Sequence, residues 1–532
     1  MNYKSKGFSV FYKERNMVFL LSTLILNGLF FTSFGSEFPE EDLKLEDTLA
    51  NSKPSPNPVW GTRPSPADFY GIQENQKESE ARLDKQNIRQ NPVMQTDNSD
   101  IFIKVPHSYQ GNQNFSVAKT PPVIDFVIVQ NLEPQYLKNT DAMYQSPMSA
   151  SDGFAMWCGF GDVTKGPEGC FYFAIGNHAY INGNTYMIKY NPATKTHENA
   201  FDASEVCQWR EGDWTDGKIH SDPDISENGD MWVFTFSGPR PLAKEISEVN
   251  YLGGNLIHYN VFTGKAENIG IPFEGETWAY GAFDVKNEHF FAVGQSRNAI
   301  FMYDTKNQEI LFAGFPPNGL TWWRRCTMVD KETGKVYSVD SDPKFEGSMH
   351  FISWERHNNT FTVMNSKPPM NPVLKTRTPM RAHTREKDAE GAFWCFDDNG
   401  TIFQFYPQKD SVASVDVNWG ENGKYTSNVC LSPKGRYLYY LPGSHSNAHT
   451  YGTPVVQYDT QTKQRKVLAF LNDFYLEKYG YSPYGSFGLE LDEKGESIVF
   501  YTNGLFTTKE DGSGYGRPAL FHLYIPESER VE

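Results

Sequence analysis

From residue 121 onward the chain is filled by short runs of alternating apolar and polar residues, broken every few positions by Gly, Asn or Asp. The clearest runs read DPDISENGDMWVFTFSG, TMVDKETGKVYSVD, VCLSPKGRYLYYLPG and LELDEKGESIVFYTNG. Each reads as a strand, a tight turn and a second strand. The first turns fall at Gly169, Gly229, Asn287, Gly334, Gly391, Gly435 and Gly495, at intervals of 60, 58, 47, 57, 44 and 60 residues. Later in four of the units an aromatic strand enters a polar hairpin: YNPATKTHE, YNVFTGKAE, YDTKNQEI and YDTQTKQRK. Short strands and hairpins at such a period are the signature of a β-propeller. The spacing predicts an all-β fold, a seven-bladed β-propeller over 121–532. Its innermost strands begin near Gly153, Lys218, Trp278, Trp322, Arg381, Tyr425 and Tyr484. Six or eight blades also fit the less regular intervals.

A ring of sheets must close, because its first and last sheets otherwise expose unpaired edges. The β-branched run Val123–Val129 is the natural closing strand, and it joins the last blade near Phe521–Ile525. Upstream, 36–120 is rich in Pro, Asn, Gln, Glu and Lys with little periodicity, which predicts a low-complexity linker or irregular N-terminal arm. The first 35 residues carry Lys4, Lys6, Lys13 and Arg15 ahead of an apolar run to Phe31, then Ser33-Phe34-Gly35. That order reads as a signal peptide, and it predicts a secreted or periplasmic protein with no membrane contact beyond export. An uncleaved N-terminal anchor is the competing reading.

Charge and cysteine content narrow the partners. A formal net charge of -16 argues against nucleic acid, which needs a basic stripe. Six cysteines are too few for a disulfide scaffold in 532 residues, although Cys158 and Cys170 flank a Gly-rich hairpin and could pair. The 15% aromatic content suits cross-strand and inter-sheet packing.

In a four-stranded blade, the loops between strands two and three share a face with the starts of the innermost strands. Function on a rigid scaffold gathers on such convergent loops. That face collects Lys218 and His220, Trp278 and Tyr280, Trp322 to Arg325, Arg381, His383 and Arg385, Tyr425, Tyr481 and Tyr484. The loops add His178, Arg297, Asp340, Asp342, His445 and His449. It is basic and aromatic although the chain is acidic, which suits an anionic sugar. Arginines hold carboxylates through paired hydrogen bonds, and aromatic faces cover sugar rings. The consecutive Arg324 and Arg325 read as strand residues, so only one of them should face the channel.

This layout resembles the secreted propeller polysaccharide lyases of the ulvan and oligogalacturonate lyase type, which place His, Tyr and Arg around the propeller's central face. The resemblance covers roughly 153–525 at the level of layout. The HNHP-type sequence of one lyase group is absent, with KIHSDPD (218–224) the nearest stretch. It implies an acidic, uronate-containing polysaccharide or oligosaccharide as partner, and β-elimination as the reaction. His220 is then the catalytic base or acid, and Tyr280 the complementary group. His178, Arg297, Arg324, Arg325, Arg381, Tyr425, Tyr484 and His445 hold the substrate. His178, His220 and His383 are the candidate ligands of one divalent metal ion. A non-catalytic glycan- or protein-binding propeller and a metal-dependent lactonase-type hydrolase are the alternatives. A monomer is expected.

Overall fold

The computed structural model describes residues 93–109, 111, 113–129, 158–177, 183–210, 213–237, 251–340, 349–355, 359–444, 447–505 and 518–530. These are nearly all β, with two short α-helices, Ala203–Cys207 and Asn472–Tyr479. Seven sheets stand in a ring as a β-propeller, blade following blade in chain order. The innermost strands of blades 1 to 3 are Cys158–Gly159 with Thr164–Lys165, Lys218–Ile219 and Trp278–Asp284. Those of blades 4 to 6 are Met328–Val329, Met380–His383 and Cys430–Leu431. Blade 7 begins with Ser482–Gly485 and Leu489–Leu491.

Local turn chemistry sets this repeat. All six expected turn glycines have positive φ, from +68° at Gly334 and Gly495 to +87° at Gly169. In blade 3 the left-handed position falls one residue after Asn287, on Glu288. The four polar hairpins turn alike. Asn191, Asn260, Asp304 and Asp459 each accept hydrogen bonds from backbone N–H groups two or three residues on. Lys195, Gly264, Gln308 and Lys463 then take the left-handed position. An Asn or Asp after the aromatic residue thus supplies the turn its own acceptor.

Burial falls from axis to rim. The second strand of blade 1, Phe171–Gly176, is buried throughout, whereas the outermost strands Lys265–Gly270 and Thr360–Val363 are partly or fully exposed. Second strands are covered by a neighbouring blade on each face, which is why they read as continuous apolar runs. Aromatic pairs bridge the seams between blades. Tyr172–Tyr259, Phe234–Trp278, Phe291–Trp354, Phe351–Phe405, Phe396–Tyr440 and Phe173–Tyr501 have ring centroids 3.9 to 6.2 Å apart. Each pair adds about 0.5–1.5 kcal/mol beyond its buried area.

Val123–Ile128 closes the ring by antiparallel pairing with Ala519–Tyr524, Val123 opposite Tyr524 and Ile128 opposite Ala519. The sheets begin earlier than the expected start at residue 121. Gln95–Asn98 pairs outside the closing strand, and Ser116–Val117 runs parallel to Lys466–Val467 on blade 6. Buried residues pin this arm. Asp97 accepts from Lys478 at 2.5 Å and from Tyr479, Phe102 packs on Phe474 and Tyr475, and Phe115 stacks 5.0 Å from Trp419. Glu529 accepts from the Lys119 backbone N–H at 2.7 Å. The expected signal peptide and the first part of the arm lie outside the described residues.

All six cysteines are free thiols. Cys158 pairs opposite Gly176, while Cys170 precedes Phe171 at the far end of the same strand. Six strand residues separate the two by roughly 20 Å, beyond the reach of a disulfide.

Candidate functional site

The innermost strands converge on a central cavity of about 30 Å³ lined by all seven blades. Blade 1 supplies Phe160, Gly161 and Asp162, blade 2 His220 and Asp222, and blade 3 Ala279 and Tyr280. Blade 4 supplies Arg325 and Cys326; blade 5 supplies Arg381, Ala382, His383 and Arg385. Ser427 and Asn428 come from blade 6 and Phe487 from blade 7. One water needs about 10–15 Å³, so the space is of the order of two waters or one carboxylate group.

Interrupted strands aim these side chains inward. In blade 2 the ladder stops after Ile219 and resumes only as a single bridge between Ile225 and Met231. Ser221 Oγ accepts from the Phe234 N–H, and the Asp222 N–H crosses to the Gly281 carbonyl of blade 3. In blade 4 the chain turns at Arg324 and Arg325 before the strand begins at Met328. Ser338 Oγ holds that turn through the carbonyls of Trp323 and Cys326.

The site has two layers of opposite character. Met380 lies opposite Asp397 and His383 opposite Cys395, so Arg381 sits near the turn between strands two and three. Arg385 lies past the other end of its strand. Around Arg381 the layer is basic. Its Nε donates to the Tyr425 hydroxyl, its guanidinium carbon lies 5.1 Å from that ring's centroid, and Nη1 reaches the Arg325 carbonyl at 3.3 Å. The acid of this layer is Asp398, lifted by burial to about 6 against the pull of Arg381 and Arg325. Lys218 belongs here too, its Nζ 3.8 Å from the centroid of Phe160 and 5.5 Å from that of Phe236.

Around Arg385 the layer is acidic. Nη1 donates to Glu490 at 2.9 Å, and Nη2 to Asp162 at 2.8 Å, Thr164 Oγ1 at 2.6 Å and the Val163 carbonyl at 3.0 Å. Asp224 stands 3.5 Å from Nε. Asp222 accepts from Tyr280 OH at 2.5 Å. Burial raises Asp162, and raises Asp222 well above the carboxylate range with Asp162 and Asp224 adding to it; it lifts Glu490 to about 7. Burial opposes the charge of Arg385 as well, but the surrounding carboxylates outweigh it and hold the guanidinium well above its ordinary range.

The expected residues divide as follows. His220, Tyr280, Arg325 and Arg381 come together in the cavity, with Tyr425 bonded to Arg381 at its edge. His220 packs between Phe160 and Phe236, at 5.4 and 4.8 Å between centroids. His383 also lines the cavity, but both ring nitrogens face backbone carbonyls, Thr384 at 3.0 Å and Thr327 at 3.1 Å. Arg324 is not among the lining residues; the pair forms a turn, and only Arg325 reaches the axis. Arg297 stands apart from the cavity, bonded to the Glu274 carbonyl, over the ring of Phe273 and 3.9 Å from Glu276. Tyr484 is buried 4.0 Å from the ring of His449. Asp340 accepts from the Thr321 N–H and hydroxyl, the work of a turn. His178, His445 and Asp342 lie outside the described residues, so the His178–His220–His383 set is represented only by its last two members. Among the described residues no three His, Cys, Asp or Glu side chains gather as a metal site, and no helix is long and apolar enough to cross a membrane.

The four acids around Arg385 escaped the sequence reading. Asp222 and Asp224 stand inside KIHSDPD, a stretch singled out for its histidine. Asp162 and Glu490 come from blades 1 and 7, and no spacing along the chain links them to Arg385.

No family model matches the chain, and no curated protein matches it. Among solved structures it is similar to the structure of U3-55K, at 8% identity and a TM-score of 0.41, over 69% of this chain and 95% of that one.

Proposed function

We propose that the basic layer of the cavity anchors a carboxylate of an acidic, uronate-containing saccharide, met by an exported propeller outside the cytoplasm. The observation that carries this reading is the meeting of Arg325 and Arg381, from adjacent blades, in a space of carboxylate size. Arg381 makes no ion pair among the described residues; its described hydrogen bonds go to a phenol and a carbonyl, which leave its charge uncompensated by direct contact. A carboxylate gains most where guanidinium groups are already desolvated and fixed. Phe160 and Phe487 supply apolar walls for the carbon that bears it.

A second reading is favoured by His220 and Tyr280 lining the same cavity. With the uronate carboxylate neutralised by the arginines, His220 removes the C5 proton and Tyr280 protonates the departing oxygen, completing β-elimination. At rest the Tyr280 hydroxyl donates to Asp222, and it must turn from that bond to protonate the sugar oxygen. Calorimetry with oligogalacturonate and with its methyl ester tests the anchor. Binding of the acid but not the ester is expected, and equal binding would overturn the reading. Absorbance of the unsaturated uronate, followed over a panel of acidic polysaccharides, separates elimination from binding alone.

A further inference from the structure

The amine of Lys218 is used neither by that anchor nor by the elimination. Lys218 is 5% exposed, on the innermost strand of blade 2 opposite Phe236. Its Nζ lies against the faces of Phe160 and Phe236 and has no hydrogen bond or ion pair among the described residues. A buried ammonium without an anion is costly, so such a lysine sheds its proton readily. Burial holds this amine well below the usual lysine range against an opposing pull from Cys158, and Arg325 adds to burial's effect. Phe160 is shared: the ring beneath the amine also walls the cavity that holds Arg325 and Arg381.

We propose that Lys218 is a carbonyl-capturing amine, forming a reversible imine with a small ligand that carries an aldehyde or ketone beside a carboxylate. The carboxylate half of this inference rests on the anchor proposed above; the amine half does not. The nitrogen lone pair adds to the carbonyl carbon and the C=O π pair moves to oxygen. The two amine protons then leave with that oxygen as water, and the C=N bond forms. No oxidant, reductant or metal enters the balance. Desolvated lysines on apolar walls are suited to this step, because the neutral amine is the nucleophile. Lys218 is not itself among the residues lining the cavity; it adjoins the cavity through Phe160.

The test uses the intact protein with glyoxylate, and in parallel with propanal as an uncharged carbonyl. Cyanoborohydride traps the imines, and peptide mass mapping compares Lys218 with the exposed lysines Lys195 and Lys306. Lys218 should be labelled by both probes at least about tenfold faster than those surface amines. In Arg381→Gln its labelling by glyoxylate should fall about tenfold while labelling by propanal holds. Fast labelling by propanal alone would keep the reactive amine and overturn the carboxylate anchor. Labelling of Lys218 no faster than Lys195 by either probe would overturn the inference, while the uronate calorimetry still judges the anchor separately. Because the decisive comparison is made on the unaltered chain, it does not depend on any Lys218 variant folding.

Discussion

Arg381 and Arg385 stand four residues apart in one blade and line one cavity, yet their surroundings are opposites. Arg385 is met by Asp162 and Glu490 through hydrogen bonds and by Asp224 at 3.5 Å. Arg381 meets a tyrosine hydroxyl and a backbone carbonyl, with Asp398 as the acid of its layer. A guanidinium surrounded by fixed carboxylates has no capacity left for a ligand; it ties blades 1, 2 and 7 to blade 5. A guanidinium held by neutral groups keeps its charge available. The difference teaches that lining a pocket is not enough to make a binding residue, since what already occupies its donors decides.

The largest effect should come from Arg385→Met. It leaves buried carboxylates without their partner, a loss of about 3–5 kcal/mol, read as a lower denaturation midpoint. If the variant lost under about 1 kcal/mol, as surface ion pairs do, the keystone role would be gone. Arg381→Gln should cost less stability, about 1.5–3 kcal/mol for a hydrogen bond from a charged group, but weaken uronate binding by at least about tenfold. Equal losses of stability in the two variants would erase the contrast between the layers.

The pH dependence sharpens the comparison further. Glu490 at about 7 and Asp398 at about 6 titrate above their unfolded values, near 4. Raised carboxylates favour the folded chain when protonated. Their contribution is complete below about pH 4 and is lost as pH rises through 6 to 7. Melting temperature should therefore fall between pH 5 and pH 8. Asp125, held low against burial by Lys195, Thr96 and Tyr524, and Glu529, by Lys466 and two backbone N–H groups, act oppositely and lose their contribution below about pH 4. Arg385→Met should steepen the fall at high pH, because the charge that restrains Glu490 is gone. A flat profile from pH 5 to 8 would count against a strained acidic layer. The smallest effect on stability belongs to Tyr280→Phe, which removes one hydrogen bond to Asp222, about 0.5–1.5 kcal/mol, and abolishes elimination if Tyr280 is its acid.

The architecture was legible because its information is local. A positive-φ glycine such as Gly229, or an acceptor such as Asn260 ahead of Gly264, writes each turn within a few residues. The closing strand could be read from the need to pair an edge. The site was legible only in part. His220, Tyr280, Arg325 and Arg381 followed from their places at inner-strand starts. The strand assumed through Arg324 and Arg325 fails because the ladder begins at Met328. The acids around Arg385 meet through the ring alone, across four blades, which no local pattern encodes. Arg297 resembled a site residue in sequence, but Glu276 and the Glu274 carbonyl hold it away from the cavity.

Closure of the ring also sets a schedule for synthesis. Ile128 leaves the ribosome 391 residues before its partner Ala519, the difference between the two numbers. At about 5–20 residues per second that is a wait of roughly 20–80 s, spent with an apolar strand and an open sheet edge uncovered. Until then that strand has only Gln95–Asn98 to pair with, and the edge meant for Ala519–Tyr524 stays open. A ribosome stalled short of residue 519 would carry a chain primed to pair with its neighbours.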